Sequence, residues 1–214
     1  MTCFIQSGSH MLAVFLDQET TGLDPTKHNV LEIALRIYQV EADLEIASYE
    51  TVVKLSVESW AHRNHTSVEI NGFTFQESSA GKEIIKIREE IIALFNETKI
   101  IRGGAVFICQ NPAFDKGFFS QIVDVEMQEQ LHWPYHWLDL ASMFWLIRIG
   151  EARQQQKPFP TEMDLSKDQI AKYFDIPPEQ KPHRAMNGVD HLLACYHAVM
   201  ATSAKTVWVN RPFV

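Results

Sequence analysis

Residues 11–17 form an apolar run of the length of one buried strand, and it stops on Asp17. In VLEIALRIYQV (30–40), Ile33, Leu35 and Ile37 fall on one face at period two, and IASYETVVKL (46–55) keeps a strand-like composition. The three runs together predict consecutive strands in a meander. KEIIKIREEIIALFNE (82–97) then changes period, with Ile84, Ile87, Ile91, Leu94 and Phe95 at helical spacing. AVFICQN (105–111) predicts another buried strand, ended by Asn-Pro. Helical patterns follow at 114–130, 139–151 and 165–174, and a last one runs from Asp190 through HLLACYHAVMA. The polar, proline-punctuated stretch 152–164 reads as an exposed loop. Strands first, then strands among helices, predict an α/β or α+β chain with a mixed sheet flanked by helices.

Composition narrows this picture. A chain of 214 residues, 46% hydrophobic, suffices for a single domain with a sizeable core, placed at 11–204 with terminal extensions at 1–10 and 205–214. The formal net charge of −8 argues against a broad basic nucleic-acid groove, though not against a small local site. Three widely spaced cysteines without a CxxC pair suit neither a disulfide framework nor a thiolate zinc site, and point to a reducing, cytoplasmic setting. The first residues are neither basic nor followed by a long apolar run, so neither a secretory leader nor a membrane helix is expected.

Chemistry concentrates where elements begin or end, which is where sites on α/β sheets are built. Asp17 and Glu19 close the first strand two residues apart, so their side chains share a face. Two like charges that close are costly without a positive charge between them. Asp115 opens the helix after Asn-Pro, and His183 lies in a loop ahead of Asp190. Taken singly, an acid in a first helical turn is explained by capping and the helix dipole, and a loop histidine by solvation. The combination is less ordinary.

LDQETTGLDP, QNPAFDKGFF and PHRAMNGVDHLLACY resemble, in order, the three motifs of the DEDD superfamily of 3′-to-5′ exonucleases, in the branch with a histidine in its third motif. HWLDLASM (136–143) is similar to the segment between the second and third motifs. Relatives include the proofreading subunit of the bacterial replicative polymerase, oligoribonuclease and ribonuclease T. Two departures stand out. Gln110 occupies a position where relatives often have histidine, and the usual final aspartate, five residues after the histidine, is Gly188. Asp190, seven residues after His183, is taken as that ligand, on a loop two residues longer.

The resemblance implies a ribonuclease H-like fold with a mixed five-stranded sheet. It also implies a metal-dependent exonuclease releasing nucleoside 5′-monophosphates from single-stranded DNA or RNA 3′ ends. Asp17, Glu19, Asp115 and Asp190 would hold two divalent cations, Mg²⁺ or Mn²⁺, hard ions suited to oxygen donors. His183 would act as general base, since an imidazole accepts a proton near neutrality. Thr20, Thr21, Gly22 and Leu23 would meet the terminal nucleotide, and Phe114 or Phe118 could stack on a base. Lys116, Lys181 and Arg184 could offset the acidic surface for a phosphate backbone. A homodimer or a polymerase partner fits such a chain. The rival readings are an endonuclease of the same fold and a catalytically degenerate exonuclease fold kept as an interaction module.

Overall fold

The computed structural model describes residues 10–203. The expected terminal extensions, His10 apart, lie outside the described residues. Five strands, β1 (Leu12–Thr20), β2 (Val30–Gln39), β3 (Leu44–Val52), β4 (Ala105–Cys109) and β5 (Trp137–Asp139), form one sheet in the order β3-β2-β1-β4-β5. The first three make an antiparallel meander, and β4 and β5 join parallel to β1. This is the mixed five-stranded sheet, flanked by helices, that the sequence reading anticipates.

The period-two pattern divides the core. Val14, Leu16, Ile33, Leu35, Ile37 and Phe107 face α4 (Ile84–Thr98) and α5 (Pro112–Ile122) in the larger cluster. Ala13, Phe15, Ala34 and Ile108 face the other way, against α7 (Leu140–Gln154), α8 (Lys167–Tyr173) and α9 (Ala185–Ser203). Asp17 and Glu19 continue the second row, so α8 and α9 decide what these acids meet.

Three differences from the sequence pattern have local causes. The pattern offers no element between 56 and 81, yet α1 (Val57–Ala61), α2 (His65–Asn71) and α3 (Phe75–Ser79) lie there. Each is too short for a periodic signal, and each starts on a side-chain cap, from Ser56, Asn64 and Thr74. The stretch 114–130 is two helices, since the chain extends at Val123 and Asp124 caps α6 (Val125–Gln130). The last helix begins at Ala185, five residues before Asp190. Its first N–H donates to the buried carboxylate of Glu32 on β2 at 2.7 Å, which fixes the helix start over the sheet.

Candidate active site

Asp17 and Glu19 sit at the C-terminal end of β1, which pairs in parallel with β4. Asp115, in the first turn of α5, is buried and close enough to Asp17 for the two carboxylates to repel. Gln18, on the opposite face of β1, donates from Nε2 to the Asp115 carbonyl at 2.9 Å and ties α5 to the strand. Burial raises Asp17 above the usual carboxylate range and Asp115 well above it. Burial and repulsion from Asp17 and Glu179 push Glu19 up to about 8. Each shift has the same origin: negative groups gathered out of water with little positive charge among them.

The first motif is held from both sides. Thr20 donates from Oγ1 to the Gly22 carbonyl at 2.7 Å, and its own carbonyl accepts from Asn71 Nδ2 at 3.1 Å. Thr21 is fully buried; its N–H donates to Asn29 O at 2.9 Å, and its Oγ1 accepts from Asn29 N at 2.8 Å. Any side chain at Gly22 would run into the His28 ring, so glycine is required by close packing. Leu23 projects from this turn 77% exposed, available to an incoming group. Phe118 is core, and Phe114 is half-buried with its ring centroid 4.7 Å from that of Phe118. Arg184 is already engaged, over the Phe73 ring at 3.9 Å and paired with Glu77 at 2.9 Å. Gln110 donates to Leu165 O at 2.7 Å.

The third motif differs from expectation. Asp190 does not join the acids: its Oδ1 accepts from Arg36 Nε at 2.6 Å and its side chain is 52% exposed. Because α9 starts at Ala185, position 188 lies in its first turn and faces Asp17. Residues two apart on a helix point about 200° away from each other, so α9 cannot aim both at one centre. Asp190, expected among the ligands, lies instead in a surface ion pair with Arg36, and position 188, where the resemblance would put the acid, is a glycine facing Asp17.

Two residues that sequence reasoning missed fill the gap. Lys167, at the start of α8, places Nζ 2.8 Å from Glu179 Oε2, 3.4 Å from Asp17 Oδ2 and 3.3 Å from Gly188 O. Burial opposes its charge, but Asp17 and Glu179 outweigh that and hold the ammonium above its ordinary value. Glu179 has a side chain only 3% exposed, and its Oε1 has no hydrogen-bond partner among the described residues. That oxygen lies 3.7 Å from His183 Nδ1, and Oε2 is 3.9 Å from His191 Nδ1. His183 is anchored by its N–H, which donates to Ile70 O at 3.2 Å. No spacing rule marks Lys167 or Glu179; the only sequence signal is the glycine at 188.

Among the described residues, Glu19, Glu179 and His183 each offer a ligand atom, all within 4.8 Å of one another. A donor set of carboxylates with one imidazole, including a buried carboxylate oxygen without a partner, fits a divalent cation.

The sheet order, with acids at the C-terminal end of its central strand, defines the ribonuclease H-like class. Within it, the chain belongs to the exonuclease (RNase T) family, whose profile matches residues 14–194. That family is metal-dependent. The fold is similar to Escherichia coli exonuclease I in its zinc-bound complex with single-stranded DNA, with a TM-score of 0.73, 18% identity, and 92% of this chain on 42% of that one. Exonuclease I from Methylocaldum szegediense gives 0.70 and 18%, over 92% and 42%. Cell-death related nuclease 4 gives 0.69 and 14%, over 90% and 64%. The chain thus spans less than half the length of the exonuclease I chains it resembles. No curated protein matches the sequence. Among the described residues, no helix is long and apolar enough to cross a membrane.

Proposed function

We propose that the chain hydrolyses phosphodiester bonds at the 3′ end of single-stranded nucleic acid, with a divalent cation, and releases nucleoside 5′-monophosphates. The supporting observation is the cleft that brings His183 to Asp17 and Glu19 at the end of β1, with Asp115 close to Asp17, in a chain of the exonuclease family. A bound Mg²⁺ or Mn²⁺ would supply charge neutralisation at phosphorus and a more acidic water. The carboxylates of Asp17, Glu19 and Asp115 would hold the cation, and His183 would take a proton from the attacking water. The turn from Thr20 to Leu23 receives the terminal nucleotide, with the exposed Leu23 side chain against its base and Phe114 near the neighbouring one.

A second reading, an exonuclease fold kept for interaction and not catalysis, draws on Lys167 and Gly188, which alter the centre. Degradation of 3′-labelled and 5′-labelled DNA and RNA, linear and circular, with Mg²⁺ or Mn²⁺, separates the readings. Exonuclease action frees 3′ label at once, shortens 5′-labelled strands gradually and spares circles. Cut circles would instead indicate an endonuclease. No degradation with either ion would leave the interaction reading.

A further inference from the structure

The resemblance implies a centre of four carboxylates around two cations, and this chain departs from both halves of that expectation. The acid it would place five residues after His183 is absent, because position 188 is glycine. The space is not left over: the Asp17 carboxylate leans into the volume where a side chain at 188 would begin. The fourth carboxylate arrives from elsewhere, as Glu179 in the loop between α8 and α9, its side chain 3% exposed. With it comes Lys167, whose Nζ spans Glu179 Oε2 at 2.8 Å and Asp17 Oδ2 at 3.4 Å. A buried ammonium needs such partners, and in return it neutralises one face of Asp17.

We propose that Lys167 is a resident cation standing in for one of the two metal ions, and that the chain binds a single divalent cation, with Glu179 replacing the carboxylate missing at Gly188. The cation would sit on the Glu19 side of Asp17. There carboxylate oxygens of Glu19 and Glu179 come within 4.8 Å of each other with His183 beside them as the base, and Glu179 Oε1 is buried without a hydrogen-bond partner among the described residues. On the other side, the ammonium takes Asp17 Oδ2, and Gly188 offers only its carbonyl, already bonded to Lys167 at 3.3 Å. Lys167 is a compact point charge, so it can fill the electrostatic role of an ion although it cannot bind water as a Lewis acid does. This inference deepens the metal-dependent reading above and rests on it.

Calorimetric titration of the full chain with Mn²⁺, read as stoichiometry and affinity, tests it apart from activity. The wild type should bind one Mn²⁺ per chain. Lys167→Met frees Asp17 and should admit a second ion, whereas Lys167→Arg keeps the charge and should remain at one. Glu179→Gln should weaken the wild-type site at least tenfold, with circular dichroism confirming its fold. Two ions on the wild type, or an unchanged affinity in Glu179→Gln, overturns the proposal. Labelled-strand degradation run in parallel keeps the two claims distinct. A wild type that degrades strands with two ions bound defeats only the resident-cation role. A wild type that binds no Mn²⁺ defeats the metal-dependent reading, and this inference with it.

Discussion

The carboxylate of Asp17 occupies the space that a β-carbon at position 188 would need, so Gly188 and the present pose of Asp17 require each other. A single missing side chain on α9 thereby sets the direction of the first acid on β1, and Lys167 closes the remaining side. The same relationship makes a substitution at 188 informative.

Gly188→Ala forces the Asp17 carboxylate to turn away and strains its contact with Lys167. Overpacking of this kind costs about 1–3 kcal/mol, offset in part because a carboxylate is the movable end of a side chain. Thermal melting should show destabilisation, and turnover should fall with it. A Gly188→Ala variant matching the wild type in both would mean that Asp17 adopts another pose at no cost.

Asp190→Asn should leave activity and cation affinity near wild type, since Asp190 pairs with Arg36 on the far side of α9. Losing a half-exposed ion pair costs at most ~1 kcal/mol. Steady-state kinetics and a chemical denaturation curve check both halves. A large loss of cation affinity would return Asp190 to the centre.

Much of this was legible in the sequence. Alternation in 30–40 gave the buried face of β2, and the Asp-x-Glu spacing gave two acids on one face, because both follow from a strict period of two. The resemblance supplied the mixed five-stranded sheet but not the order of its strands. The misplacement of Asp190 has a definite origin: the apolar pattern of α9 strengthens only after residue 189, while the helix starts at Ala185 because Glu32, distant in sequence, accepts its first N–H. Lys167 and Glu179 were invisible for the same reason. Their partnership joins α8, a loop and β1, and no local pattern encodes it.

Asp115→Asn should abolish turnover yet raise the stability of the cation-free protein. The buried Asp115 carboxyl is held well above its ordinary range by burial and by Asp17, which means its charged form is unfavourable in the fold. An amide removes that charge at almost constant volume. For a chain of this size each ~1 kcal/mol gained moves Tm by about 2–4 °C. Melting in a chelator measures the gain, and a lower Tm in Asp115→Asn would contradict the electrostatic account.

The same carboxylates set a pH dependence of unusual sign. Glu19 has an ordinary value of 4.5 and is pushed up to about 8 in the fold. Between those values the folded chain retains a proton that the unfolded chain has released, so stability falls as pH rises across that window. The contribution is fully present below 4.5 and lost through about 8. Asp17 and Asp115, also raised, act in the same direction. In a chelator, Glu19→Gln should flatten this decline. Added Mg²⁺ should stabilise more at pH 8 than at pH 6, because the cation competes with protons for the same oxygens. A Mg²⁺ effect independent of pH would show that the ion binds elsewhere.

His183 offers the sharpest distinction, because the same side chain could accept a proton or bind the cation. Its ring lies beside the unpartnered oxygen of Glu179, and its backbone is tied to Ile70, so removing the imidazole leaves the loop anchored. If His183 takes the proton of water, His183→Ala should lose roughly 10²–10⁴-fold in turnover while Mn²⁺ affinity and strand binding stay near wild type. His183→Gln can keep a hydrogen bond to water but cannot accept a proton at neutral pH, so it should be as slow as the alanine variant. Were Mn²⁺ affinity to fall in step with turnover, the imidazole would be a ligand, and the proton would have to go to one of the raised carboxylates instead.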